Sequence, residues 1–203
     1  RQGIWSETQA EAQRAVEGAA MNFAMTVRDR AGITELAPTA HVEMLAPFLD
    51  TEPLKPATGA GNRLICVAMM RPGDKLDSYR ALAAALALLP GDWHLAVAGD
   101  GLARDEVQAL FPLGRVDWHG ELPPAGVAAL LRSGAVYVWP GCGEAYGLAY
   151  LEAQAAGLPI VAWATAGVPE VVVDGETGIL AAPGDIPALA SAITTLLADP
   201  ALR

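Results

Sequence analysis

The chain has 203 residues, 53% apolar and 18% charged, enough for one full α/β domain plus an extra piece and not enough for two. That balance excludes a disordered chain, and the formal charge of −10 argues against a nucleic-acid polymer as partner, because phosphate-backbone binding needs a basic face. A single small anion, held by a few well-placed cations, stays compatible with it.

Chain order begins with "RQGIW", which has no methionine, no basic region and no apolar segment of signal-peptide shape. The longest apolar run, "ALAAALALLPG", is nine residues before its proline, about half a membrane span. Two cysteines, Cys66 and Cys142, are too few for a disulfide scaffold and read as buried thiols in a reducing compartment. Together these features predict a cytoplasmic protein, soluble or peripheral at the inner face of the membrane, cut from a longer chain. "SETQ" (6–9) is a capping-box start for a helix reaching about Arg30, with Gly32 as its stop. "HVEML" (41–45) reads as one strand. One helix and one strand cannot build a core, so residues 1–50 are expected to be the end of a preceding domain. "TEPLKPATGAGN" (51–62) has a linker's composition.

From residue 63 to 203 short apolar strands alternate with amphipathic helices. The strands are "LICVAMM" (64–70), "HLAVAGD" (94–100), "RVDWHG" (115–120), "AVYVWP" (135–140), "PIVAW" (159–163) and "GIL" (178–180). Apolar strands each followed by a helix predict a parallel sheet covered on both faces, a Rossmann-like doubly wound α/β domain of about six strands. Ligands of such sheets bind beyond the carboxyl ends of the strands. The chemistry should therefore sit in "RPGDK", "GDGLA", "HGELP", "GCGEAYG" and "ATAGVPE".

Within "GEAYGLAYLEAQAAGLP" (143–159), a helix starting near Gly147 or Leu148 would put Leu148, Leu151 and Ala155 on one stripe facing the sheet. Glu152 then lies at the margin of the core and must be partnered or face a polar cavity. Its bland alternative is a first-turn glutamate helped by the helix dipole. Glu144 precedes the helix, where it is a loop residue, a cap or a ligand group. Free N–H groups at Gly147 and Leu148 can hold an anion, and a carboxylate can take both hydroxyls of a vicinal diol. Phosphate flanked by polyols is the ligand this suggests, a sugar nucleotide. In "MMRPGDKLDSY", Asp74 reads as an N-cap and Asp77 as a first-turn residue. Lys75 would then lie where the dipole disfavours a cation by ~0.3–1 kcal/mol. Arg71 and Lys75 make sense there around an anion, or as surface charges neutralised by the two aspartates.

Other signals are weaker. "GDG" (99–101) and "HGEL" (119–122) are glycine turns at the binding edge, without a full dinucleotide fingerprint. His119 has no second ligand at metal spacing, and neither a D-x-D pair nor a phosphate-loop motif occurs. "GVPEV" reads as a helix start with Pro169 first and Glu170 near the dipole. The five tryptophans are scattered and read as core or rim.

The run "GEAYGLAYLEAQAAGLPIVAWATAGVPEVVVDGETGILAAPGD" (143–185) resembles the C-terminal domain of retaining glycosyltransferases of family 4, which have the GT-B fold. The likeness covers roughly residues 64–200, and the paired glutamates, "GLP", "GVPE" and "DGETG" make it specific. It implies a domain that holds a UDP-, GDP- or ADP-sugar, preceded by the acceptor domain and an interdomain linker. By position, Glu152 would accept ribose hydroxyls and Glu144 hydroxyls of the donor sugar. Gly147 and Leu148 would lie by the sugar and phosphates, with Arg71 and Lys75 as the diphosphate-binding pair. His119 and Gly120 match the strand end bordering the base; Tyr146, where the family often has Phe, and Gly101 complete the expected binding set. Catalysis would rest on Arg71, Lys75 and Glu144, with retention of configuration, front-face attack and no metal or other cofactor. The acceptor would be a glycan, a lipid-linked group or a small molecule, in a bacterial polysaccharide setting. Any membrane contact would run through the N-terminal domain, and this piece alone is expected to bind donor rather than to transfer. Arg71 and Lys75 stand closer together than the family's usual pair. A dinucleotide-binding oxidoreductase domain and a non-catalytic GT-B-like binding module are the alternatives.

Overall fold

The computed structural model describes residues 2–46, 48–58 and 61–203, with the backbone alone for 2–7. Two compact units divide at Phe48 and Leu49.

The first unit holds α1 (Gln2–Gly18), β1 (Asn22–Ala24), α2 (Val27–Leu36) and β2 (Val42–Met44). β1 and β2 pair in parallel, Phe23 opposite Glu43. The expected single helix to Arg30 is therefore two helices with a strand between them. Thr26 causes the second start: it is extended and its side chain accepts the Asp29 N–H at 2.9 Å, an N-cap that opens α2. Gly32 falls inside α2 rather than after it. α1 begins at Gln2, so the "SETQ" stretch lies within it, and the Ser6 side chain that would form the capping box lies outside the described residues, as do the side chain of Trp5 and linker residues 59 and 60. Ala24, Thr26 and Ala37 are the buried side chains among those described in this unit.

The second unit is a six-stranded parallel sheet, formed by β3 (Arg63–Val67), β4 (His94–Ala98), β5 (Val116–Gly120), β6 (Val136–Val138), β7 (Ile160–Trp163) and β8 (Gly178–Ala181). The spatial order is β5-β4-β3-β6-β7-β8. Consecutive residues of β6 and β7 are buried, as are the middle residues of β3 and the last four of β4. This is the mark of a sheet covered on both faces. Each fully buried aliphatic side chain, such as Leu64, Ile65, Leu95 and Ile160, contributes roughly 1.5–3 kcal/mol. The crossovers are α3 (Asp74–Ala87), α4 (Arg104–Ala109), α5 (Pro124–Arg132) and α6 (Leu148–Ala155), and α7 (Ile186–Ala198) follows the last strand. α3 packs against both α4 and α7.

After β7 the expected helix at "GVPEV" is only a 3-10 turn, Val168–Glu170. Val171 and Val172 follow it directly and are buried in the core; their β-branched side chains favour extended backbone over another helical turn. Residues 51–58 of the expected linker fall inside the second unit, which begins at Leu49. Ala57 N–H bonds to Ala156 O at 2.6 Å and Thr58 N–H to Arg132 O at 2.9 Å.

The chain reverses its direction of winding between β3 and β6, which are adjacent in the sheet though far apart in sequence. A crevice opens at the carboxyl ends of strands at such a switch point.

Candidate functional site

A cavity of about 310 Å³ occupies that crevice. Val67, Ala68 and Met69 line it from the end of β3, Ala98 and Gly99 from β4, Tyr137 and Trp139 from β6, and Gly147 to Tyr150 from the start of α6. Gly99 has φ +146°, and a Cβ there would strike the Ala68 carbonyl. Only glycine lets β4 turn this close to β3. The floor is tied down by tyrosine hydroxyls: Tyr79 donates to Ala68 O at 2.7 Å and Tyr137 to Val67 O at 3.2 Å. Burial holds the phenols of Tyr79, Tyr137 and Tyr150 protonated, far above their ordinary range, and lifts the buried Cys66 thiol to about 12. Cys66 is thus a core thiol; Cys142 is half-buried.

Lys75 and Glu144 meet in this cavity as an ion pair between side chains 16% and 17% exposed. Loop 141–147 is what carries Glu144 to Lys75. The Cys142 N–H donates to the fully buried Ser78 Oγ at 2.8 Å, fastening the loop to α3 one turn beyond Lys75. From the other side, the Gly167 N–H donates to Glu144 O at 3.2 Å. Gly147 then starts α6 with φ +80°, where a Cβ would strike the Tyr150 ring. The first N–H groups of α6 have no partner within the helix and carry its positive end.

Several expectations are corrected. Asp74 is not the N-cap of α3; Gly73 holds that position with φ +83°, and Asp74 is the first helical residue. Lys75 does lie in the first turn, but its charge is met by Glu144 rather than by an aspartate of its own helix. Arg71 is exposed and lines no part of the cavity, so Lys75 is the one cation among the lining residues. Leu148, expected in the core, is 53% exposed and lines the cavity mouth, while Tyr150 and Ala153 form the buried face of α6. The helix is rotated from the expected stripe because Tyr150 is drawn inward: its hydroxyl donates to Trp139 O at 3.0 Å and its ring stands edge-on to Tyr137.

Glu152 does not line the cavity of Glu144. It faces a second cavity of about 280 Å³, walled by Leu49, Asp50, Pro53, Leu54, Pro124 and Ala128, with Leu122 and Val127 shared between the two. Burial raises its carboxyl above the ordinary 4.5. His119, Gly120 and Gly101 stand at the right strand ends but line neither cavity; their neighbours Glu121, Leu122 and Gly99 do. Tyr146 lies half-buried outside both, its phenol raised first by burial and then by Glu170. Trp139 was missed, although an aromatic residue at the end of a central strand, just before Pro140, is at the binding edge by topology alone. Among the described residues no three His, Cys, Asp or Glu side chains group as metal ligands, and no helix is long and apolar enough to cross a membrane.

The sequence profile of the glycosyl transferases group 1 family matches residues 61–199. A GDP-mannose-dependent α-(1-6)-phosphatidylinositol monomannoside mannosyltransferase of Mycolicibacterium smegmatis is 32% identical over 187 residues, 80% of this chain and 49% of that protein. A glycogen synthase of Mycobacterium tuberculosis is 32% identical over 72% of this chain and 36% of its own length. The chain thus spans half or less of these relatives. Among solved structures, a sucrose-phosphate synthase of Thermosynechococcus elongatus superposes with TM-score 0.84 at 23% identity, over 97% of this chain and 54% of that one. Anabaena HepE in complex with UDP and glucose gives 0.82 at 19%, over 97% and 58%. These likenesses are of fold, that of GT-B glycosyltransferases. The chain belongs to the glycosyl transferases group 1 family.

Proposed function

We propose that this glycosyl transferases group 1 chain binds a nucleotide diphosphate sugar and forms the donor half of an enzyme moving a hexosyl group to a hydroxyl acceptor. The observation that carries the reading is the meeting of Lys75, Glu144 and the N-terminus of α6 around one cavity at the switch point of the sheet. Lys75 and the helix dipole would stabilise charge growing on the departing diphosphate. Glu144 would accept hydroxyls of the sugar. Glu152, in the adjoining largely apolar cavity, would accept the ribose hydroxyls while Leu122 and Val127 pack by the base. The acceptor oxygen bonds to the anomeric carbon on the face from which the diphosphate leaves, and the hydroxyl proton passes to the diphosphate. Configuration is then retained without a metal. The first unit would belong to the acceptor domain, and the acceptor would be a glycan, a lipid-linked group or a small molecule met in the cytoplasm or at the inner membrane face. The relatives' names, a phosphatidylinositol mannoside mannosyltransferase and a glycogen synthase, support a glycan or glycolipid acceptor.

Thermal melting with UDP, GDP and ADP and with UDP-glucose, GDP-mannose and ADP-glucose tests donor binding, because a ligand of the native state alone raises the midpoint. One nucleotide series is expected to raise it, with or without EDTA. No rise with any of the six would overturn the reading, and a rise lost in EDTA would overturn its metal independence.

A further inference from the structure

Trp139 directly follows β6 with 2% of its surface exposed, its ring edge-on to Tyr79 at 4.9 Å. Its indole N–H donates to Glu144 Oε2 at 3.3 Å, the same oxygen that meets the Lys75 ammonium. Lys75 Nζ also stands 5.4 Å from the centre of the indole ring. Glu144 Oε1 accepts none of the hydrogen bonds among the described residues, and both side chains of the ion pair are largely buried. Lys75 therefore cannot turn toward a diphosphate without leaving Glu144 short of a donor in a poorly solvated place, a costly state for a carboxylate.

We propose that Trp139 is the positioning residue for Glu144, holding the carboxylate by Oε2 when Lys75 is taken up by the diphosphate, so that Oε1 stays aimed at a hydroxyl of the donor sugar. The proposal rests on the donor site described above. Indole suits the task because it donates a hydrogen bond and never accepts one or carries charge. Being neutral, it does not replace Lys75 as the charge that draws the phosphates. The 3.3 Å bond is long for N–H···O, and it tightens once the stronger partner has left.

Calorimetry on the 203-residue chain, with UDP-glucose against UDP and GDP-mannose against GDP, separates this role from a structural one. Trp139→Phe keeps an aromatic ring and deletes the donor. It is expected to weaken the sugar nucleotide about tenfold, the worth of a hydrogen bond to a charged group, with the free diphosphate changed less than about twofold. Equal weakening of both ligands, or of neither, overturns the proposal. If the variant does not fold, the unaltered protein decides. In protein labelled with 15N-tryptophan, the indole resonance shifted by Glu144→Gln should move downfield and exchange more slowly with water when the sugar nucleotide is added. Faster exchange overturns the proposal. Failure of the unaltered chain to bind any of the four ligands is a separate result, which removes the donor-site reading and this role with it.

Discussion

Glu144 and Glu152 stand eight residues apart on either side of one helix start, yet they meet opposite surroundings. Glu144 is held by a loop, paired with Lys75 and touched by Trp139. Glu152 sits on α6 itself, half-buried, in a cavity walled mainly by proline, leucine and valine, with Asp50 as its other charged residue. No described side chain donates to its carboxylate, and burial pushes its proton affinity up. The difference teaches that carboxylates alike in a motif can be prepared in different ways: one neutralised by a cation a ligand must displace, the other left poorly solvated until hydroxyls arrive.

The largest effect expected on this contrast is that of Lys75→Ala, which removes the one cation lining the first cavity and leaves Glu144 largely buried without its charge partner. Calorimetry should show nucleotide-sugar affinity falling at least about a hundredfold, within the range for truncating one partner of a buried charge pair. A fall under tenfold would mean that α6 alone holds the anion. Glu152→Gln should weaken both the sugar nucleotide and the free diphosphate by about tenfold, since both carry the ribose. Weakening of the sugar nucleotide alone would move Glu152 to the sugar and break the division between the cavities.

The same substitution has a pH signature in the unliganded protein. Because the folded carboxyl titrates above its unfolded value, the native state binds more protons between the two pKa values, and stability falls as pH rises through that window. Glu152→Gln should therefore raise the melting midpoint at neutral pH and lose that advantage below about pH 4, near the ordinary glutamate value. An advantage that is independent of pH would point to packing instead. Arg71→Ala is expected to do least. Arg71 is exposed and outside the cavity, so affinity should drop by about twofold at most, and 0.5 M salt, taken as roughly enough to screen exposed charges, should erase the change. A tenfold loss would bring Arg71 into the site.

Much of this was open to reading in the chain. The apolar strands from Leu64 to Leu180 predicted the six-stranded parallel layer, and their ends marked the loops that bear the cavity. Legibility failed where a residue's partner lies outside its own segment. Tyr150 turns α6 through contacts with Trp139 and Tyr137, so helical spacing alone placed Leu148 on the wrong face. The first unit failed in the same way: a short parallel strand, Asn22–Ala24, needs its partner Val42–Met44 to exist, and three residues leave little pattern.

The amino-acid order by itself determined the layers and the edge where a ligand binds, because strand and helix periodicities are local and burial follows from them. The tertiary structure decided which side chains share a cavity. Lys75 and Glu144 meet across 69 positions because β3 and β6 are neighbours in the sheet and Ser78 fastens the loop to α3. Glu152 is turned to another chamber because the direction of a helical side chain depends on how the helix rolls against its neighbours, which no single segment encodes.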